Sequence, residues 1–139
     1  MKFYYVIMLF LILAACSRSN DRDLKQPSAE MIDKENPAKI TFSETTHDFG
    51  KIAANETMVH DFEFVNDGGS VLIITDVDPS CGCTVPSWPE EPIPPGEKGK
   101  ITIKFNSGMV GVTKKSITIA ANTYPETLTH IYIQGEVVE

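Results

Sequence analysis

Basic clusters are missing from this chain. Its 12 lysines and arginines are scattered among 19 aspartates and glutamates, giving a formal charge of −7 over 139 residues. Phosphate backbones are held by clustered cations, so the composition argues against nucleic acid as a partner. The same acidity opposes electrostatic docking on anionic headgroups, which leaves covalent or hydrophobic attachment as the route to a membrane. A spanning apolar run is also missing. The uncharged stretch Phe3 to Ala15 is about 13 residues, short of the roughly 20 that cross a bilayer as a helix. No phosphate loop, nucleophile–base pattern or recognisable carboxylate pair appears, so no catalytic residue is assigned and an enzyme is not expected. Cysteine is scarce: Cys16, Cys81 and Cys83. An odd count in an exported chain leaves one thiol for something other than an internal bridge.

Position identifies the odd one. "MKFYYVIMLFLILAAC" carries a single cation at Lys2, an apolar run, then small residues before Cys16. These are the three zones of a secretory signal. Leu13-Ala14-Ala15-Cys16 resembles the bacterial lipobox, which implies cleavage after Ala15 and acylation of Cys16. Residues 1–15 are then the signal peptide of a lipoprotein, and the mature protein is anchored to a membrane without spanning it. The expected location is the cell envelope, on the outer membrane, where disulfides persist. Residues 16–38 are polar, lack apolar periodicity and contain Pro27 and Pro37. They read as a flexible tether, with one helical turn near Ala29–Lys34, and as a coil of about 22 residues they reach roughly 25 Å.

Residues 39–139 read as one all-β domain. Phe62 and Phe64 share a face opposite Asp61 and Glu63, and Ile101, Ile103 and Phe105 repeat the alternation. Ser116–Ala120 and His130–Gln134 follow the same pattern, while Val71–Val77 is more apolar and reads as a central strand. Period-two runs rich in Ile, Val, Thr and Phe predict half-buried antiparallel strands. Asn66–Ser70, with its two glycines, reads as a hairpin turn, and Pro94–Glu97 as another. About seven strands in about 100 residues fit an immunoglobulin-like antiparallel β-sandwich. The two distant core cysteines of antibody domains are lacking, so the likeness is one of architecture.

Six motifs stand in order: "HDFG.I" at His47–Ile52, "F.F.N.G" at Phe62–Gly68, "SCGCT" at Ser80–Thr84, "PI.PGEKG.I...F" at Pro92–Phe105, "G...K.I.I..N" at Gly111–Asn122, and "I.G.V" at Ile133–Val137. Together they resemble a bacterial family, domain of unknown function 1573, over roughly Ile40 to Val138. The resemblance implies a relative of the Hydin-type and major-sperm-protein-type immunoglobulin-like domains, often borne on envelope lipoproteins, and carries no catalytic residues. Asp48-Phe49-Gly50 spells a kinase triplet without the accompanying kinase motifs, and is read as a bend with Phe49 in the core. Asn55-Glu56-Thr57 matches a glycosylation sequon in letters only.

"SCGCT" leaves three readings open. Cys81 and Cys83 leave the same face of a strand, so Gly82 has to fold the backbone inward for a disulfide to close. So small a ring removes little unfolded-state entropy and suits a redox pair better than a staple. Two thiolates fall short of a structural zinc but suit a copper(I) ion. Met109 then offers a thioether, and His47, His60 or His130 an imidazole. The third reading, placed first, packs both cysteines as small apolar residues beneath Trp88. The expected function is a lipid-anchored binding or scaffolding module with a protein partner in the envelope and no cofactor. Its contact rim is drawn over Cys81–Pro95, with Trp88, Pro89 and Pro92 foremost. The alternative is copper(I) handling or thiol redox at the Cys-Gly-Cys pair.

Overall fold

In the computed structural model, which describes residues 24–139, the alternating runs become eight strands in two four-stranded sheets. The expected signal peptide and Cys16 lie outside the described residues. One sheet is ordered β1 (Ile40–Phe42), β3 (Thr57–Asn66), β6 (Lys98–Asn106), β5 (Thr84–Ser87). The other is ordered β2 (Thr46–Ala53), β8 (Leu128–Val138), β7 (Gly111–Ala121), β4 (Ile74–Pro79). Among the described residues no helix is long and apolar enough to cross a membrane.

Phe62, Ile101, Ile103, Ile117, Ile131 and Ile133 are all 0% exposed, and Phe64, Phe105 and Ile119 nearly so. These are the positions that alternation turns inward, and they fill the space between the two inner faces. Each such side chain stabilises the fold by about 1.5–3 kcal/mol relative to exposure. The expected seven antiparallel strands are eight, and one pairing is parallel. β1 pairs antiparallel with β3; the chain then crosses at Ser43–Thr45 to the other sheet, where β2 runs parallel to β8. A pairing between residues so far apart in sequence leaves no local pattern.

The bend expected at Asp48-Phe49-Gly50 is a break in register within β2, between Asp48 and Lys51. Gly50 has φ +68°, a conformation that costs glycine nothing. Its N–H donates to the Asp48 carboxylate at 2.8 Å. Phe49 is half-buried rather than fully interior, lies over Gly135, and stacks on Phe105 at 5.5 Å. A side chain at Gly135 would collide with that ring.

Three expectations need correction. Val71–Val77 is not a central strand: β4 begins at Ile74 and lies at a sheet edge beside β7. The Asn122 side chain takes the Ile73 N–H at 2.7 Å, and Leu72 bridges to Ile93 in the 92–97 loop, so residues 71–73 leave the ladder. Asn66–Ser70 is not a hairpin, because β3 and β4 belong to different sheets. Its glycines serve close approach: a Cβ on Gly68 would strike the Pro37–Lys39 backbone. Finally, residues 24–38 of the expected tether lie along the domain. The Lys25 N–H donates to Asp76 at 2.9 Å, Thr75 donates to the Lys25 carbonyl at 2.6 Å, and Asn122 donates to the Met31 carbonyl at 3.0 Å. Ala38 is fully buried, and a single 3-10 turn spans Ala29–Met31.

Candidate functional site

Chemistry-bearing side chains collect at two places. The first is the turn between β4 and β5. Cys81 and Cys83 are joined by a disulfide across Gly82, with Cα atoms 5.3 Å apart. Both cysteines are half-buried and Cys83 also packs against the core, so the bridge and the packing reading coexist, whereas two free thiols do not. Thr84, 2% exposed, sets its hydroxyl 3.4 Å from the Cys81 sulfur and 3.9 Å from that of Cys83. Backbone bonds hold the turn from both sides: Thr84 N–H to the Cys81 carbonyl at 3.2 Å, and Asn106 N–H to the Cys83 carbonyl at 2.9 Å.

Beside the bridge is a cleft of about 260 Å³ whose lining includes Cys83, Phe105, Met109, Val110 and Val112. Met109 is 87% exposed and Val112 89% exposed, with Val110 and Val85 also open to solvent. The structure therefore brings Met109 to Cys83, and leaves Trp88, Pro89 and Pro92 elsewhere. Trp88 follows the far end of β5 and is half-buried against the core, neither plug nor open contact; Pro89 is half-buried beside it and Pro92 exposed. Of the expected 81–95 rim, Cys83 alone lines this cleft. The valines of the cleft escaped sequence reading because nothing local distinguishes an outward valine from a core one.

The second place is the crossover between the sheets. His47 of β2 and His60 of β3 stack with ring centroids 3.5 Å apart and planes 8° apart. Glu44, in the crossover, brings one carboxylate oxygen to 2.6 Å from His60 Nε2 and 4.0 Å from His47 Nδ1. His60 also meets the Phe62 ring edge-on at 4.8 Å. Burial holds the His47 pKa below its ordinary value and the neighbouring His60 adds to this, while Glu44 and Asp48 act in the opposite sense. The Asp48 carboxyl is itself lowered by the Gly50 N–H and by Gln134. His130 is separate, exposed and in contact with Thr118 at 3.2 Å. Neither His47 nor His60 lines the Cys83 cleft.

The model of the family described as "Protein of unknown function (DUF1573)" matches residues 40–137. The chain belongs to this family. Among proteins of curated function, none matches this DUF1573 chain. A Porphyromonas gingivalis protein of unknown function superposes on it with TM-score 0.62 at 20% identity, covering 71% of this chain and 46% of that one. The DUF1573 chain thus spans under half the length of that protein. The PapD-like domain 7 of human CEP192 superposes with TM-score 0.58 at 13% identity, covering 83% of this chain and 95% of that domain. The Vibrio cholerae protease VesB gives 0.59 at 10% identity, matching 31% of its length. Likeness at such identities establishes the β-sandwich of this DUF1573 domain and nothing of its activity.

Proposed function

We propose that this protein is a lipid-anchored module of the bacterial cell envelope that binds a protein partner through the sandwich end bearing the Cys81–Cys83 turn. The observation carrying this reading is the grouping of Met109, Val110 and Val112, all exposed, around the Cys83 cleft. Scattered apolar residues on a surface need no explanation, but a cluster lining a concavity suits a partner's apolar side chain. The lipobox at Leu13–Cys16 supplies the anchor.

A photoreactive residue at Val112 tests the reading in intact cells. The expected result is one prominent crosslink to an envelope protein, abolished by Met109→Asp combined with Val110→Asp and retained in Trp88→Ala. Cys16→Ser is expected to release the chain from the membrane fraction. Crosslinking no greater than from a probe at exposed Lys34 would sink the docking proposal.

The bridge itself favours a second reading, thiol–disulfide exchange. A thiolate of a partner dithiol attacks one sulfur and forms a mixed disulfide, which the partner's second thiol resolves. The partner is oxidised by two electrons, and Cys81 and Cys83 leave as thiols. The Thr84 hydroxyl stands where it can donate to the departing sulfur. Copper(I) binding by two thiolates and the Met109 thioether requires the same prior reduction. Mild reduction should add ~2 Da to the intact mass and expose two alkylatable thiols. Resistance of the bridge to a thioredoxin-strength reductant would refute the exchange reading, and no copper adduct after forced reduction would refute the copper one.

A further inference from the structure

We propose that Glu44, His47 and His60 form a binding site for a divalent transition-metal ion of the zinc class, at the point where the chain crosses between sheets. The three donor atoms lie within 4.8 Å of one another. Zinc bound tetrahedrally at about 2.0–2.1 Å holds its ligands about 3.3 Å apart. The separations of 2.6 Å and 4.0 Å from the Glu44 oxygen to the two ring nitrogens straddle that value. Adjustment within side-chain rotation, with the two rings splaying from parallel, completes the set.

The origin of the ligands argues against a chance surface pair. Along β3, Met58, His60, Phe62 and Phe64 occupy successive inward positions, and along β2 His47 and Phe49 do the same. One inward position on each sheet is therefore occupied by histidine where its strand neighbours are apolar. The two imidazoles meet across the sheets with 28% and 21% of their side chains exposed. Among the described residues, no group hydrogen-bonds the His47 ring, so packing alone gives its polar atoms nothing. The surroundings are anionic. Asp48 follows His47 directly, Asp61 follows His60, and the cation nearest to Asp61, Lys100, is engaged with it at 2.6 Å.

Imidazole and carboxylate donors suit zinc, copper(II) and nickel(II), not calcium or magnesium, which prefer all-oxygen sets. Three protein ligands leave a fourth position for water or for a donor from a partner. Because Glu44 sits in the crossover while His47 and His60 belong to opposite sheets, the ion would tie the two sheets together where the chain passes between them. This inference is independent of the cleft and of the disulfide.

Calorimetric titration of the oxidised, untagged full chain in detergent with zinc chloride provides the test. One ion per chain is expected. Removing a ligand should weaken binding by at least the roughly 10- to 100-fold that a lost second-layer contact costs. That loss is expected in Glu44→Gln, His47→Gln and His60→Gln, and not in Cys81→Ser combined with Cys83→Ser. Glu44 is exposed, so Glu44→Gln leaves the core intact even if a histidine variant fails to fold. X-ray absorption of the loaded protein should show two imidazoles and one carboxylate. Absence of saturable binding, binding unchanged in Glu44→Gln, or a sulfur-ligated spectrum would each overturn the proposal.

Discussion

Phe62→Ala is expected to destabilise the protein by about 4 kcal/mol, within the range of ~3–5 for deleting a buried aromatic ring. Phe62 is 0% exposed and sits opposite Ile101 at the centre of the β3–β6 ladder. The surrounding strands are tied by that ladder and by inward residues of the facing sheet, so the cavity cannot collapse cheaply. The effect extends to the histidine pair, because Phe62 is the wall against which His60 rests edge-on at 4.8 Å. Zinc affinity should therefore fall in this variant even under conditions where it remains folded. Urea unfolding monitored by Trp88 fluorescence reads the first effect and calorimetry the second. A loss below about 1 kcal/mol would mean that the core is not closed around this ring.

Asn66→Ala is expected to cost about 3 kcal/mol although it removes little apolar surface. Asn66 is fully buried, and its amide donates to the carbonyls of Ser70 and Ile93, both at 2.9 Å. Its side-chain oxygen accepts the Gly68 N–H at 3.1 Å and the Lys39 N–H at 3.4 Å. Its backbone binds the 94–97 turn through Glu97 and Gly96. Truncation strands several buried backbone groups at once, each costing about 1–3 kcal/mol when it finds no water. Asn66→Asp is expected to lose nearly as much, since a carboxylate accepts but cannot donate to the two carbonyls. Equal stability of either variant with the parent would show that water replaces the side chain. Hydrogen exchange at Gly68 and Lys39, whose N–H groups the side-chain oxygen accepts, would then be faster while global stability stayed unchanged.

The sequence exposes what is local and conceals what is not. Every isoleucine and phenylalanine that alternation turned inward along β3, β6, β7 and β8 is found in the interior, because a two-residue period records which face of a strand is covered. The parallel pairing of β2 with β8 joins residues about 85 apart in sequence, and no window of strand length carries that information. Asn66-Asp67-Gly68-Gly69 misleads for a related reason. Glycines needed for close passage of a distant segment look the same as glycines needed for a tight turn. The docked segment 24–38 was concealed because it is held through backbone groups and one buried alanine, which leave no periodic trace. At the crossover, His47 and His60 were visible as residues but not as neighbours. Glu44 drew no notice at all, since its role depends on strands from two sheets.

The docked N-terminal segment also determines how the domain responds to load. A force on the chain ahead of Leu24 does not load the strand pairings first. It meets the Lys25–Asp76 and Thr75–Lys25 bonds, then Gln26 with Thr127, then the Met31 carbonyl held by Asn122, and last Gly69 on the Pro37 carbonyl. These bonds follow one another along the segment. Detaching residues 24–37 frees about 14 residues, or roughly 50 Å of extended chain at ~3.5 Å each, without any strand pairing of the sandwich being broken. The segment is stored length, released by a pull while the strand ladders stay paired.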